Sequence, residues 1–398
     1  METLFNVMER RLMLTQTTTV REFINEINWN KQLISIKGSR GVGKTTLMLQ
    51  YIKLNYPPGN KEVLYCSLDS FYFTQHSLLD LAEQFYLNGG RHLLIDEVHK
   101  YPGWKSEIKQ IYDNYPNLRV VVTGSSLLSI RKGDADLSRR CFPYYMPGLS
   151  LREYLIFYKN IILPKYSLDS LIKNAPTICH EILEKCSPVA IFNEYCQMGY
   201  YPFYDGNKED YYISIENIVN YIIEQELPTL EGVNPAYIRK LKVMVSVLAN
   251  SLPFEVDITK LSRVLEINRE TVMHYLSILN NADILSLLYS DLLSVKKMQK
   301  PDKIYLHNTN LLFALSNKIE VGTIRETFTM SQLRPLHKIE YGKQKGDFLI
   351  DDKWRFEIGG AGKGFSQISG EKDSYVLADN IENPSGRKLP IWLLGFLY

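Results

Sequence analysis

The sequence predicts an α/β chain with a parallel sheet at its front, followed by a helical stretch, a helix-and-hairpin segment and a second, smaller α/β piece. Three stretches within the first 150 residues predict the sheet. Each is a short apolar run that ends in glycines, acids or small hydroxyls. QLISI, 32–36, runs into GSRGVGKTT; HLLI, 92–95, ends in Asp96 and Glu97; LRVVVTGSS, 118–126, ends in Thr123, Gly124, Ser125 and Ser126. Helical spacing after the first run, as in LMLQYIKL, gives the strand–helix alternation of a parallel sheet.

The first run carries the most information. Gly38, Ser39, Arg40, Gly41, Val42, Gly43, Lys44, Thr45 and Thr46 spell G-x-x-x-x-G-K-[ST] between a strand and a helix. Glycine permits positive φ, so successive backbone N–H groups turn inward around phosphate oxygens. The helix that starts there adds its positive dipole end. Lys44 is expected to reach the β- and γ-phosphates and Thr45 to hold Mg²⁺. ATP and Mg²⁺ are therefore the expected nucleotide and cofactor. GTP is disfavoured, because no N-K-x-D-like guanine motif follows.

The second run supplies what such a loop needs. About 50 residues on, Asp96 is expected to serve Mg²⁺, and Glu97 to orient and polarise the attacking water. The third run offers Ser125 to the γ-phosphate or the water; the competing reading is a serine N-cap at a strand-to-helix turn. Arg139 and Arg140 follow in DADLSRRCF. Such an arginine can neutralise transition-state charge, in cis or from a neighbouring subunit, or can simply sit in a surface turn.

GSRGVGKTT, LLIDEVHKYPGW, VVTGSS, LSRR and PGLSLREYL, in that order, resemble a prokaryotic AAA+-superfamily P-loop ATPase of the archaeal-ATPase-like group. DFLID…FEIGG…GFSQI, YVLADNIE and LPIWLLGFLY resemble the uncharacterised C-terminal domain that often follows such ATPases. The resemblance implies a helical lid, a winged helix and a restriction-endonuclease-like tail. In that family's pattern the arginine closes an L-S-G-R motif; here Arg139 stands in the glycine's place and Arg140 inherits the finger role. The expected organisation is a core over 1–150, a helical lid over 151–250, a winged helix over 251–315 and a nuclease-like α/β domain over 316–398.

Downstream, 257–290 reads as two helices joined by a turn. Ile258, Leu261, Val264 and Leu265 form one apolar face; Asn268 caps a second helix whose face is Val272, Leu276 and Leu279. If the pair meets DNA, Asn268, Arg269, Glu270 and His274 face the groove, and Lys296, Lys297, Lys300 and Lys303 hold phosphates. The alternative is a packing module, and the second helix is poor in Lys and Arg. In the tail, Asp347 and Glu357 sit where a metal-dependent nuclease places its acids, but Gly359 occupies the position of the lysine two residues past the glutamate. Lys363 is the nearest substitute. The tail is therefore expected to be inactive, structural or partner-binding.

Bulk properties bound the rest. The chain has 398 residues, more than one core usually covers. A net charge of +2 argues for no overall nucleic-acid field. Five cysteines without a CxxC pair suit a reducing cytoplasm; Cys179, His180, Cys186 and Cys196 match no standard zinc spacing. The N-terminus has no cleavable apolar core, and no apolar run reaches membrane-spanning length, so neither secretion nor a membrane is expected. Expected partners are a nucleotide and, as candidates, DNA or a protein; the sequence does not set the oligomeric state.

Overall fold

A computed structural model of the chain describes residues 1–127, 135–251, 254–255, 257–290, 300–343 and 345–398. They form two compact units, Met1–Pro147 and Gly148–Tyr398, each described by itself.

The first unit runs α1 (Glu2–Leu14), β1 (Leu33–Lys37), α2 (Lys44–Asn55), β2 (Val63–Ser67), α3 (Leu78–Leu87), β3 (His92–Asp96), α4 (Trp104–Asn114), β4 (Arg119–Thr123), α5 (Ala135–Arg140) and β5 (Phe142–Tyr145). The sheet order is β2-β3-β4-β1-β5, and every neighbouring pair is parallel. The three expected strands are the inner ones. They are buried along nearly all their length, which is why they read as unbroken apolar runs. Of the two edge strands, β5 is mostly exposed, whereas β2 is as buried as the inner strands. β2 has α1 along it: the Tyr65 N–H donates to Met8 Sδ at 3.2 Å, and Leu4, Phe5 and Met8 are buried. That helix covers an otherwise open sheet edge.

Register sets the site. Ile36 pairs with Thr123 and Ser67 with Asp96, so the ends of β1, β3 and β4 share one rim of the sheet. β5 begins beside Ile34 with Phe142, so Arg140 enters at the opposite rim.

The second unit holds the helices α6 (Leu151–Tyr154), α7 (Leu168–Lys173), α8 (Ala175–Leu183), α9 (Pro188–Met198), α10 (Lys208–Tyr221), α11 (Leu227–Glu231) and α12 (Ile238–Ala249). Next come β6 (Phe254–Glu255), α13 (Ile258–Leu265), α14 (Arg269–Asn281), β7 (Leu285–Leu288), β8 (Lys303–Leu306), α15 (Thr309–Leu315) and α16 (Val321–Leu333). Five strands close it: β9 (Ile339–Tyr341), β10 (Phe348–Ile350), β11 (Trp354–Gly360), β12 (Ser374–Asp379) and β13 (Lys388–Pro390). The short strands form an antiparallel sheet β6-β8-β7 and the last five a mixed sheet β13-β12-β11-β10-β9.

Tyr154, Phe192 and Tyr195, from the stretch expected to be a lid, share one core with Phe328, Phe348 and Trp392. Phe192 meets Phe328 edge-on at 4.7 Å. These helices thus bury their aromatic faces on the C-terminal sheet. In α13, Ile258, Leu261 and Leu265 are buried, but Val264 is half exposed. This corrects the expected face: Val264, at i+6, lies about 60° round the helix from Leu261 and so off the i, i+3, i+7 row. Asn268 caps α14, accepting from the Thr271 N–H. Lys296 and Lys297 lie outside the described residues.

Candidate nucleotide site

The loop after β1 turns on positive φ at Gly41 (88°) and Gly43 (98°), a region open to glycine at little cost. Gly38 meets a steric limit as well: a Cβ there would stand 2.2 Å from the Met146 carbonyl oxygen. Beneath the loop, the buried Arg21 donates to Pro147 O at 2.6 Å and to Val42 O at 3.4 Å. Arg21 gave no sequence signal, because it comes from a segment with no motif. Lys44 opens α2; its ammonium lies across the loop, 2.7 Å from Gly38 O and 2.9 Å from Ser39 O. Two loop carbonyls thus hold it in place.

Asp96 is the hub of the rim. Its Oδ2 accepts from Thr45 Oγ1 at 2.7 Å and from the Tyr65 hydroxyl at 2.9 Å. Its Oδ1 accepts from Thr123 Oγ1 and, at 3.1 Å, from the Glu97 N–H. A carboxylate with four donors is both buried and oriented. The pair Thr45 and Asp96 presents hard oxygen ligands of the kind that hold Mg²⁺ while leaving it several waters. Among the described residues, no group of three or more His, Cys, Asp or Glu is placed to hold a metal. The five cysteines are free.

Glu97 adopts a left-handed backbone, φ 53° and ψ 42°, a conformation that costs about 1 kcal/mol for a residue with a Cβ. Its Oε2 lies 3.3 Å from Nε2 of the buried His99. Ser125 lies two residues past the Ile36–Thr123 pair, near the level of Gly38. Its Oγ is buried and has no hydrogen-bond partner among the described residues. An orphaned donor beside a phosphate-type loop fits an anionic ligand.

Arg140 is not brought to this rim. It pairs with Asp113 at 3.0 Å through Nε and 3.3 Å through Nη2 and lies over the Tyr112 ring. The strand between it and the loop is about five residues long, so the separation is on the order of 17 Å. Arg139 is exposed.

Two groups in the second unit also bear on the sequence reading. In the DNA-binding reading Lys303 holds a phosphate. Instead it is 15% exposed, with its ammonium 3.0 Å from Glu326 Oε2 and 3.3 Å from Asp347 Oδ1. Burial works against its charge, but Glu326 and Asp347 together push its pKa up. The second group is the lysine missing from position 359. A Cβ on Gly359 would stand 2.5 Å from the Cβ and Cγ of Lys363, whose ammonium reaches Glu357 Oε1 at 2.5 Å. The glycine leaves room for a lysine stem that arrives from four residues further on. Burial nevertheless pushes the Glu357 carboxyl up, and Asp347 adds to it against the pull of Lys363.

The fold and the rim define a P-loop nucleotide-binding core: a parallel sheet with β4 between β1 and β3, and a glycine-rich loop opening a helix. Residues 30–155 match the family model of an AAA domain. A second match, over 189–321, is to a domain of unknown function. An uncharacterised protein of Methanocaldococcus jannaschii is 28% identical over 313 residues, covering 74% of this chain and 64% of that protein. The match thus spans under two thirds of that relative. Among solved structures, C. elegans PCH-2 aligns at 16% identity and TM-score 0.26, over 69% of this chain and 68% of that one. AMPPCP-bound DnaA from Aquifex aeolicus aligns at 18% and 0.28, over 65% and 85%. Likeness at these scores has no bearing on function.

Proposed function

We propose that the protein binds ATP with Mg²⁺ and hydrolyses it at the rim formed by β1, β3 and β4. The observation that carries this reading is the 2.7 Å bond between Thr45 and Asp96. It joins the end of the phosphate loop to the end of the acidic strand, as a shared metal requires. Loop N–H groups and Lys44 bind the phosphates; Thr45 and Asp96 hold the cation; Glu97 orients a water on the γ-phosphorus. Thr45 and Asp96 would hold a Mg²⁺ whose charge would be available to the phosphate oxygens. Water oxygen bonds to the γ-phosphorus as the bond to the bridging oxygen breaks. The water proton passes to Glu97 and then to solvent, leaving ADP and phosphate. Ser125 supplies a donor to the γ-phosphate or the water.

The test separates the two roles. Lys44→Ala should abolish ATP binding or nearly so, whereas Glu97→Gln should bind ATP and fail to hydrolyse it. Parent-like turnover in Glu97→Gln would remove Glu97 from the chemistry.

What hydrolysis moves is read from the remaining chain. We take nucleotide state to act as a conformational switch on the second unit. There α12 to α14 and the β7–β8 pair follow the element order of a winged helix. A DNA-binding role is the second reading. It is favoured by the exposure of Arg269, Glu270 and His274 on one side of α14, and weakened because Asn268 is engaged as a cap and Lys303 is turned inward. Turnover measured with and without duplex DNA distinguishes the two.

A further inference from the structure

Tyr65 and Arg11 lie on no motif, yet they reach the carboxylate on which the proposed metal step depends. Tyr65 sits on β2, and its hydroxyl is 2.9 Å from Asp96 Oδ2. Arg11 belongs to α1, outside the AAA match over 30–155. Its Nη1 donates to the Tyr65 oxygen at 2.7 Å, with the guanidinium 5.4 Å from the phenol ring centre. A phenol has one proton. With its oxygen accepting from Arg11, that proton is committed to Asp96. The chain of bonds therefore has a direction, from guanidinium to phenol to carboxylate, and each bond polarises the next. The same α1 is fixed to β2 by the bond from the Tyr65 N–H to Met8 Sδ.

We propose that Tyr65, oriented by Arg11, is the positioning residue for Asp96, and that docking of α1 on the edge strand thereby controls how well the site takes its divalent cation. The inference rests on the ATPase reading and deepens it. With Tyr65 in place, Oδ2 is held by two hydroxyls from different elements and the carboxylate plane is fixed. Without it, Thr45 alone holds that oxygen, and the carboxylate keeps three of its four donors, with Oδ2 the less firmly held of its two oxygens. Removing a partner that orients a metal ligand typically weakens metal affinity by roughly 10- to 100-fold.

The experiment uses the full chain and two readouts that do not depend on turnover. Mn²⁺ binding is followed by electron paramagnetic resonance with a non-hydrolysable ATP analogue present. Affinity for a fluorescent ATP analogue is measured in EDTA and across a Mg²⁺ titration. Tyr65→Phe should leave metal-free nucleotide affinity within about twofold of the parent and weaken Mn²⁺ binding by roughly tenfold or more. Arg11 is exposed apart from its tip, so Arg11→Met is the variant least prone to misfold. It should shift the metal titration in the same direction by a smaller factor, and Arg11→Lys should recover part of the loss. Metal titrations within twofold of the parent in both Tyr65→Phe and Arg11→Met overturn the inference while leaving the ATPase reading intact. A parent chain that binds neither nucleotide nor metal overturns both.

Discussion

His92→Gln should remove a pH dependence that the structure builds into the first unit. His92 opens β3 with no exposed surface. Its Nδ1 lies 2.9 Å from the Tyr56 hydroxyl, which also accepts from Arg119 Nη2 at 3.3 Å. The phenol proton is then directed at Nδ1, which assigns the ring's own proton to Nε2. The Tyr51 ring packs edge-on at 5.5 Å. Burial first, then the Arg119 charge, push the imidazole pKa from its usual 6.5 down to about 3. As pH falls through 6.5, the unfolded chain takes up a proton here and the folded chain does not until about 3. Stability is therefore lost on acidification across that window and is unaffected above it. Between about pH 7.5 and about pH 5.5 the unfolded state gains roughly a tenfold statistical weight, or about 1.4 kcal/mol. A folded pKa one unit higher or lower leaves this figure nearly unchanged, because the folded ring stays neutral throughout. Glutamine cannot titrate but can still accept from Tyr56. Hydrogen exchange in peptides covering β3, corrected for intrinsic rates, reads the opening free energy of this unit. The parent should lose about 1.4 kcal/mol more than His92→Gln over that interval. Equal pH slopes to within about 0.5 kcal/mol would refute the argument.

Two further predictions concern groups that the fold sets apart from the phosphate rim. Arg140 cannot reach its own nucleotide from the opposite rim, so any role it has is in trans. Arg140→Ala should then cut turnover by roughly three to five orders of magnitude with ATP binding retained, and parent activity per subunit should rise with concentration. A change under about threefold would assign Arg140 to its half-exposed pair with Asp113, which is worth little. In the tail, Asp347 and Glu357 each already hold a lysine ammonium, from Lys303 and Lys363. Mg²⁺-dependent cutting of duplex DNA is not expected; cleavage that disappears in Asp347→Ala would restore the nuclease reading.

What was legible follows membership of a local strand-and-turn motif, not separation along the chain. Lys44, Thr45, Asp96 and Glu97 stand at spacings fixed by a strand, a turn and a helix start, so the rim could be read in order. The inner strands were legible because burial on both faces leaves an apolar run. β5 was not, because most of it is exposed, Phe142 included; β2 is as buried as the inner strands but ends in no glycine-rich or acidic motif that marks it. Arg11, Arg21 and Tyr65 reach the loop and Asp96 only across the fold, 21 or more residues from their targets. The reach of Lys363 depends on a turn bringing its stem over Gly359. Its sequence position implied an empty lysine site, whereas the side chain fills it.

The core shared by the helices after the sheet domain and the C-terminal strands bears on how the chain is made. Phe192 and Tyr195 leave the ribosome about 140 residues before β9 begins. At ordinary elongation rates that is a wait of roughly seven to thirty seconds. Throughout it, the aromatic faces that later pack on Phe328, Phe348 and Trp392 have no sheet to cover them. The first unit, complete at Pro147, has no such wait. Ribosome stalling between residues 200 and 340 should therefore leave a folded nucleotide-binding core tethered to an unfinished, chaperone-dependent remainder.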